Sequence, residues 1–360
     1  MTDGDPRELW SDDDLDHALE RLNPIPRTDP RTLAGLRAEL MAAAGASAVE
    51  KGKSMGMKKR WIASAAAVVA VAAGVLVAQT VSFNGNPPTA SAAAAELNSV
   101  ADRVRATDPP VGPGQYTYVG TRAWYTATGS DTGAELLYAY LEENRTELWV
   151  PPVFEQEWMQ RRATGEKKWI FSSEAELKEK GIEIPDRPHS NGERRAPCGD
   201  FFANSDEERC KGEVGWQKPS PQFIASLPKD AKQLHDRIRH DTQGRGKGPD
   251  LEFLVYVADF LRSGVVPADT RANLYRALAM VPTMVVTDRA ANLDGRTGVA
   301  FGVEVDGERR EIIIDVSTGQ FIGERQIAGD DRPGIPEGTV TAYSSVRTAV
   351  VDKIGTTPSQ

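Results

Sequence analysis

Few side chains in this sequence are of types and spacings that could do chemistry. Cys198 and Cys210 are the only cysteines, and no CxxC pair suggests zinc or thioredoxin-type redox chemistry. They close a small loop inside a polar stretch. On an oxidising side they are expected to form a structural disulfide, which adds about 3 kcal/mol by loop entropy. His189 would bring the ligand count at these cysteines to only three, without a zinc spacing, so no metal centre is expected. His235 and His240 fall in a predicted helix with no Ser or Cys nearby in a nucleophile setting. Asp294, Asp306 and Asp315 sit at or beside predicted turns, where Asp supports local backbone hydrogen bonding. No Walker loop, GxSxG elbow, HExxH or SxxK constellation is present. The sequence therefore predicts no catalytic residues, no metal, no cofactor and no enzyme.

The elements around these residues are dominated by one stretch, "GMKKRWIASAAAVVAVAAGVLVAQTVS" at 56–82. From Trp61 to Ala78 it carries no charge and only Ser64 is polar, approaching the roughly 20 residues that span hydrocarbon. Lys51, Lys53, Lys58, Lys59 and Arg60 precede it, and the far side has no Lys or Arg until Arg103, which predicts a cytoplasmic N-terminus. "TASA" at 89–92 offers a signal-peptidase-like site, but about fifty-seven residues precede the apolar run and signal n-regions are short. The expectation is a signal anchor: residues 1–57 cytoplasmic, 58–81 a transmembrane helix meeting the lipid bilayer over 61–81, 82–95 a linker, and 96–356 an extracytoplasmic domain. The formal net charge of -9 and pI near 5.2 give the whole chain no electrostatic reason to coat nucleic acid.

In "ELWSDDDLDHALERLNPIP", Leu15, Ala18, Leu19 and Leu22 form one apolar helical stripe that Pro24 and Pro26 end. A second stripe runs through Leu33, Leu36, Leu40 and Met41. Two short helices without a core are marginal alone, so this segment reads as one that folds on a partner, or else as a solvated leader. As an interface, Leu15, Leu19 and Leu22 would be the apolar anchors, and Asp12, Asp13, Asp14 and Asp16 would meet basic patches.

Beyond the linker, Leu97, Val100, Ala101 and Val104 predict a helix. "QYTYVGTRAWYTAT" and "LLYAYLEENRTELWVPP" alternate as half-buried strands. Residues 155–221 read as a long polar excursion holding a helix at "SSEAELKEKG". Three helices follow, around "PKDAKQLHDRIRH", "LEFLVYVADFLRSG" and "PADTRANLYRALAMVP". Residues 283–328 then predict four meander strands, their turns marked by Asp294-Gly295, Asp306-Gly307 and Ser317-Thr318-Gly319, with a fifth in "TVTAYSSVRTAVVDKIG". The predicted class is α+β, a curved antiparallel sheet covered by helices.

On "LDHALERLNPIP", the anchor, "ELWVPP", "PQFIASLPKDAKQLHDRIR", "PADTRANLYRALAMVP", "NLDGRTGVAFGV" and "EIIIDVSTGQFIGE", the chain resembles an uncharacterised family of actinobacterial single-pass membrane proteins commonly encoded beside sigma factors. Thr283 stands where many members have Gly, a departure that bears only on a local turn. The pattern is also similar to lipoprotein-carrier and sigma-regulator sensor domains of bacterial envelopes, an analogy of fold alone. The resemblance implies no catalytic residues. It fits an envelope sensor or regulator, anti-sigma-like, whose cytoplasmic segment holds a sigma factor or another cytoplasmic protein. The alternative is an anchored extracytoplasmic module for an apolar ligand or protein partner, with Tyr116, Tyr118, Trp124, Trp149 and Phe301 lining its site or filling its core.

Overall fold

The computed structural model of the chain describes residues 90–104, 108–130, 136–185, 191–330, 332 and 334–358. Every described residue belongs to one compact unit, 74–360. The predicted anchor over 58–81 and the partner-binding residues Asp12, Asp13, Asp14, Leu15, Asp16, Leu19 and Leu22 lie outside the described residues, as does His189. Among the described residues, no helix is long and apolar enough to cross a membrane.

Helix α1 (Ala90–Arg103) starts inside the stretch expected to be linker, so that segment is helical from residue 90 onward. Its spacing works as predicted: Leu97, Val100, Ala101 and Val104 are fully buried. Three long strands follow, β1 (Tyr116–Ser130), β2 (Leu136–Val150) and β3 (Glu157–Phe171), then a short β4 (Gly192–Pro197). The C-terminal half supplies β5 (Val285–Leu293), β6 (Arg296–Val305), β7 (Glu308–Asp315), β8 (Gln320–Ile327) and β9 (Val340–Val351). All nine form one sheet in the order β4-β3-β2-β1-β9-β8-β7-β6-β5, with every neighbouring pair antiparallel. The joint between the halves is β9, which pairs with β8 on one side and β1 on the other.

The polar stretch 155–221 is thus not only an excursion, since it contributes β3 and β4. The two-residue alternation that marks a strand needs one face on an apolar core. In β3 Trp158 and Met159 are the only buried residues, Arg161 pairs with Glu147 and Glu193, and the middle of the strand stays polar before it ends in Trp169, Ile170 and Phe171. Inside the same stretch, α2 (Glu174–Glu179) forms where a helix is predicted, with Ser173 Oγ accepting the Glu176 N–H at 3.3 Å.

The remaining helices are α3 (Pro221–Ser226), α4 (Ala231–Asp241), α5 (Pro249–Arg262) and α6 (Ala268–Leu278). Asp230 caps α4 by accepting the Gln233 N–H at 2.9 Å, and Pro221 and Pro249 occupy first-turn positions that need no amide donor. Helix α5 lies on β6, β7 and β8, α1 packs on α6 and β5, and α6 packs on α4. Phe253, Phe260, Leu274, Tyr275, Phe301, Ile312 and Ile314 fill the space between the layers. This helical layer covers the β5–β8 half of one face, and α5 ends beside β1, where Gly264 sits against Val119 at φ 71°. The same face of β1, β2 and β3 is left to a different cover.

Candidate binding groove

That cover is the segment 198–219. Cys198 and Cys210 stand at disulfide distance, with Cα atoms 5.3 Å apart, and both hold left-handed backbone conformations at φ 59° and 65°. An L side chain adopts this region at a cost, so the crosslink and its surroundings must hold both residues there. Asp200 braces the ring from inside: it accepts the Cys210 N–H at 2.8 Å and an ion pair from Lys218 Nζ. Burial pushes the Asp200 carboxyl up, but Lys218 and the N–H groups of Cys210 and Gly212 outweigh it and hold the acid below its usual range. Gly199, at φ 66°, lies flat against the Trp158 ring, where a side chain would collide.

Between this loop and the sheet lies a cavity of about 570 Å³. Leu148, Phe154, Trp158, Phe201 and Phe202 give it an apolar wall. Trp158 is anchored by its N–H to the Phe154 carbonyl at 2.9 Å, with the two rings edge-on at 5.5 Å. Phe202 stays 62% exposed at the lip. A second cavity of about 390 Å³ shares Leu148, Gln160, Gln217 and Ser263 with the first, so the two form one groove. Its size suits a small amphipathic ligand.

The floor of the second compartment is set by register. Val119, Leu148 and Gln160 form one cross-strand row, and Thr121, Thr146 and Arg162 form the next. Ala123 and Asn144 belong to a third row, which continues to Thr164 on β3. Apolar side chains thus give way to polar ones along a single face. The rim adds Tyr125, Gln217 and Arg262. Arg262 is committed to Asp259 and Glu324, and Gln217 donates to Asp259 at 2.8 Å. Gln160 lines this compartment, and its Oε1 is shielded from solvent and makes no hydrogen bond.

The aromatic residues proposed from sequence are elsewhere. Phe301 is in the core under the helices. Tyr118 and Trp149 pack on Met159 and Val351, with Tyr116 and Ile354 beside them, and Trp149 donates to the Thr356 carbonyl at 2.7 Å. Trp124 is fully buried, stacked 6.0 Å from Tyr343 with Lys168 Nζ 3.7 Å from its ring centre. These five fill cores, and none lines the groove. Sequence reading missed Phe154, Trp158, Phe201, Phe202, Gln160 and Arg162, all inside or bordering the stretch read as an excursion. The usable signal was the aromatic pair Phe201-Phe202 beside a cysteine, which is unusual in a solvated loop.

The other candidates resolve into turns and packing, with Asp294 also binding Arg122 at 3.2 Å and accepting from Ser345. Asp294 and Asp306 are first residues of two-residue hairpin turns, at φ 49° each, followed by Gly295 and Gly307 at φ 81° and 74°. Positive φ at both central positions defines the turn that matches strand twist. Asp315 accepts from Ser317 and Thr318, which holds its carboxyl low despite burial. His235 is less exposed than expected of a helix surface, its ring 5.1 Å from that of Phe253 and its Nε2 accepting from Arg239 at 3.3 Å. Among the described residues no group of His, Cys, Asp and Glu could hold a metal ion.

On the opposite face of the sheet, Glu143 is a fully buried carboxylate, facing Trp124 across the β1–β2 ladder. Arg122 and Arg145 both bind it, Arg145 through two contacts of 2.9 Å, and the Glu166 N–H donates at 3.4 Å. Burial pushes its pKa up, yet these donors prevail and hold it down to about 2. Every oxygen is engaged, so this cluster reads as structure.

No protein family, curated protein or solved structure matches the chain.

Proposed function

We propose that the chain is a single-pass envelope protein whose external domain is a binding module for an apolar ligand. The supporting observation is the groove itself: aromatic side chains from β3 and the disulfide loop face a sheet surface that the helical layer leaves uncovered. A packed two-layer domain has no need of an apolar recess of this volume, and Phe202 stands at its lip. The anchor over 58–81 would hold this module at the outer surface, and the ligand would be the signal in a regulator.

The regulator reading rests on the acidic, Leu-striped segment at 12–22. Substituting Leu19 and Leu22 with Asp should abolish capture of a sigma factor by the full chain; undiminished capture removes that helix from the reading. For the groove, mass spectrometry of organic extracts of the purified full chain should reveal an amphiphile that Phe202→Asp depletes. Phe202 is exposed, so this change leaves the fold intact. Identical extracts from both proteins would refute the binding module.

A further inference from the structure

We infer that the groove is built for a single-chain amphiphile with an anionic head, the chain in the aromatic compartment and the head on Arg162. This rests on the binding-module reading above and names its ligand class.

Three observations carry it. First, the two compartments are continuous but unlike: the larger has the aromatic wall, whereas the smaller is floored by Thr121, Thr146, Asn144 and Gln160. A ligand that fills both must be apolar at one end and polar at the other. Second, the smaller compartment is lined by two arginines and no carboxylate. Arg262 has its charge met by Asp259 and Glu324. Arg162 makes no ion pair with any described residue, although β3 around it is dense in pairs: Arg161 next to it in sequence binds both Glu147 and Glu193. Alternation along the strand sends Arg161 to the opposite face and Arg162 into the groove. Third, Gln160 stands between the apolar wall and Arg162 with an amide oxygen held by no partner, so its amide can turn its NH2 donors toward an anionic head.

A half-buried guanidinium without a carboxylate favours an incoming anion, because the low local dielectric strengthens the pair and planar donors match a carboxylate or phosphate. The alkyl chain then lies along Leu148, Phe154, Trp158 and Phe202, where burial of methylenes supplies most of the affinity. Arg162 supplies selectivity for the charged head over a neutral one of equal length.

The test uses the full chain in nanodiscs of zwitterionic lipid and three photoreactive probes: diazirine-bearing palmitic acid, the matching palmityl alcohol, and the matching lysophosphatidic acid. Labelled peptides are mapped by mass spectrometry, which separates groove labelling of 154–162 and 198–219 from labelling of the anchor. In the wild type at least one anionic probe should label the groove about tenfold more efficiently than the alcohol, the ratio expected of one charge-assisted hydrogen-bonded contact. Arg162→Gln should bring that ratio near one while alcohol labelling persists, and Arg162→Lys should keep part of it. The preferred anionic probe identifies the head as carboxylate or phosphate. Equal groove labelling by acid, phosphate and alcohol overturns the anionic-head inference and leaves the binding module standing. An anionic preference that survives Arg162→Gln overturns the role of Arg162. Groove peptides labelled by no probe overturn both readings.

Discussion

Asp200 accepts the backbone N–H of Cys210 at 2.8 Å, so a carboxylate spans the same ring that the Cys198–Cys210 pair closes. The wall of the groove is therefore held twice, once covalently and once by a charge-assisted bond whose other partner is Lys218.

Removing either brace should loosen the wall without unfolding the sheet. Asp200→Ala should cost about 1 kcal/mol, the loss of charge-assisted bonds from donors that water can still reach. Reducing the disulfide should cost about 3 kcal/mol, from a crosslink spanning 12 residues. In each case hydrogen exchange should accelerate across 199–212 while β1 and β9 stay protected. Unchanged exchange in the loop would show that neither brace shapes the groove.

Glu143 predicts a pH signature. Its folded-state pKa is depressed to about 2 from an ordinary 4.5, so the stability it contributes is full above 4.5 and is lost as pH falls towards 2. Glu143→Gln mimics the protonated acid. The melting temperature of the variant should fall well below that of the wild type at neutral pH, and the gap should close between pH 4.5 and 2. A gap of constant size over that range would mean that Arg122 and Arg145 do not hold the charge.

Gly165 lies directly against the same carboxylate, so that a Cβ at this position would meet the Glu143 side chain. Gly165→Ala should therefore destabilise by about 1–3 kcal/mol, as overpacking does. The double variant with Glu143→Ala should be less destabilised than the sum of the singles, with a coupling of about 1 kcal/mol, measured by urea denaturation. Additive effects would place the cost of the alanine in the backbone of β3 instead.

Arg271 on α6 binds Asp108 through two contacts of 2.6 and 3.0 Å and the Val266 carbonyl at 2.9 Å, with its side chain only 10% exposed. It ties the segment before β1 to the helical layer. Arg271→Ala should cost about 1–3 kcal/mol in denaturant unfolding, because it leaves the buried Val266 carbonyl without its donor while the freed Asp108, 38% exposed, is rehydrated. Asp108→Asn leaves the Arg271 guanidinium, 10% exposed, without its counter-charge, so it should cost at least as much. A clearly smaller loss from Asp108→Asn would contradict this asymmetry of burial.

The sequence by itself determined every element whose periodicity answers to the apolar core. The stripes of α1, α4 and α6, the alternation of β1 and β2, and the Asp-Gly turns of the β5–β7 meander were all legible, because a buried face imposes a period of 3.6 or 2 and a tight hairpin imposes positive φ. Tertiary structure alone decided three things. It made β3 a strand in spite of its charges, since its pairing with β2 and β4 supplies what its side chains do not signal. It sent the obvious aromatics, Trp124, Trp149 and Phe301, into cores. And it brought Trp158, Phe202 and Arg162 to one groove, through a register and a loop closure whose partners are far apart in the chain. A groove has no period of its own: its residues are chosen by what stands opposite them across the fold, and that relationship comes into being only when the sheet pairs and the disulfide loop folds over it.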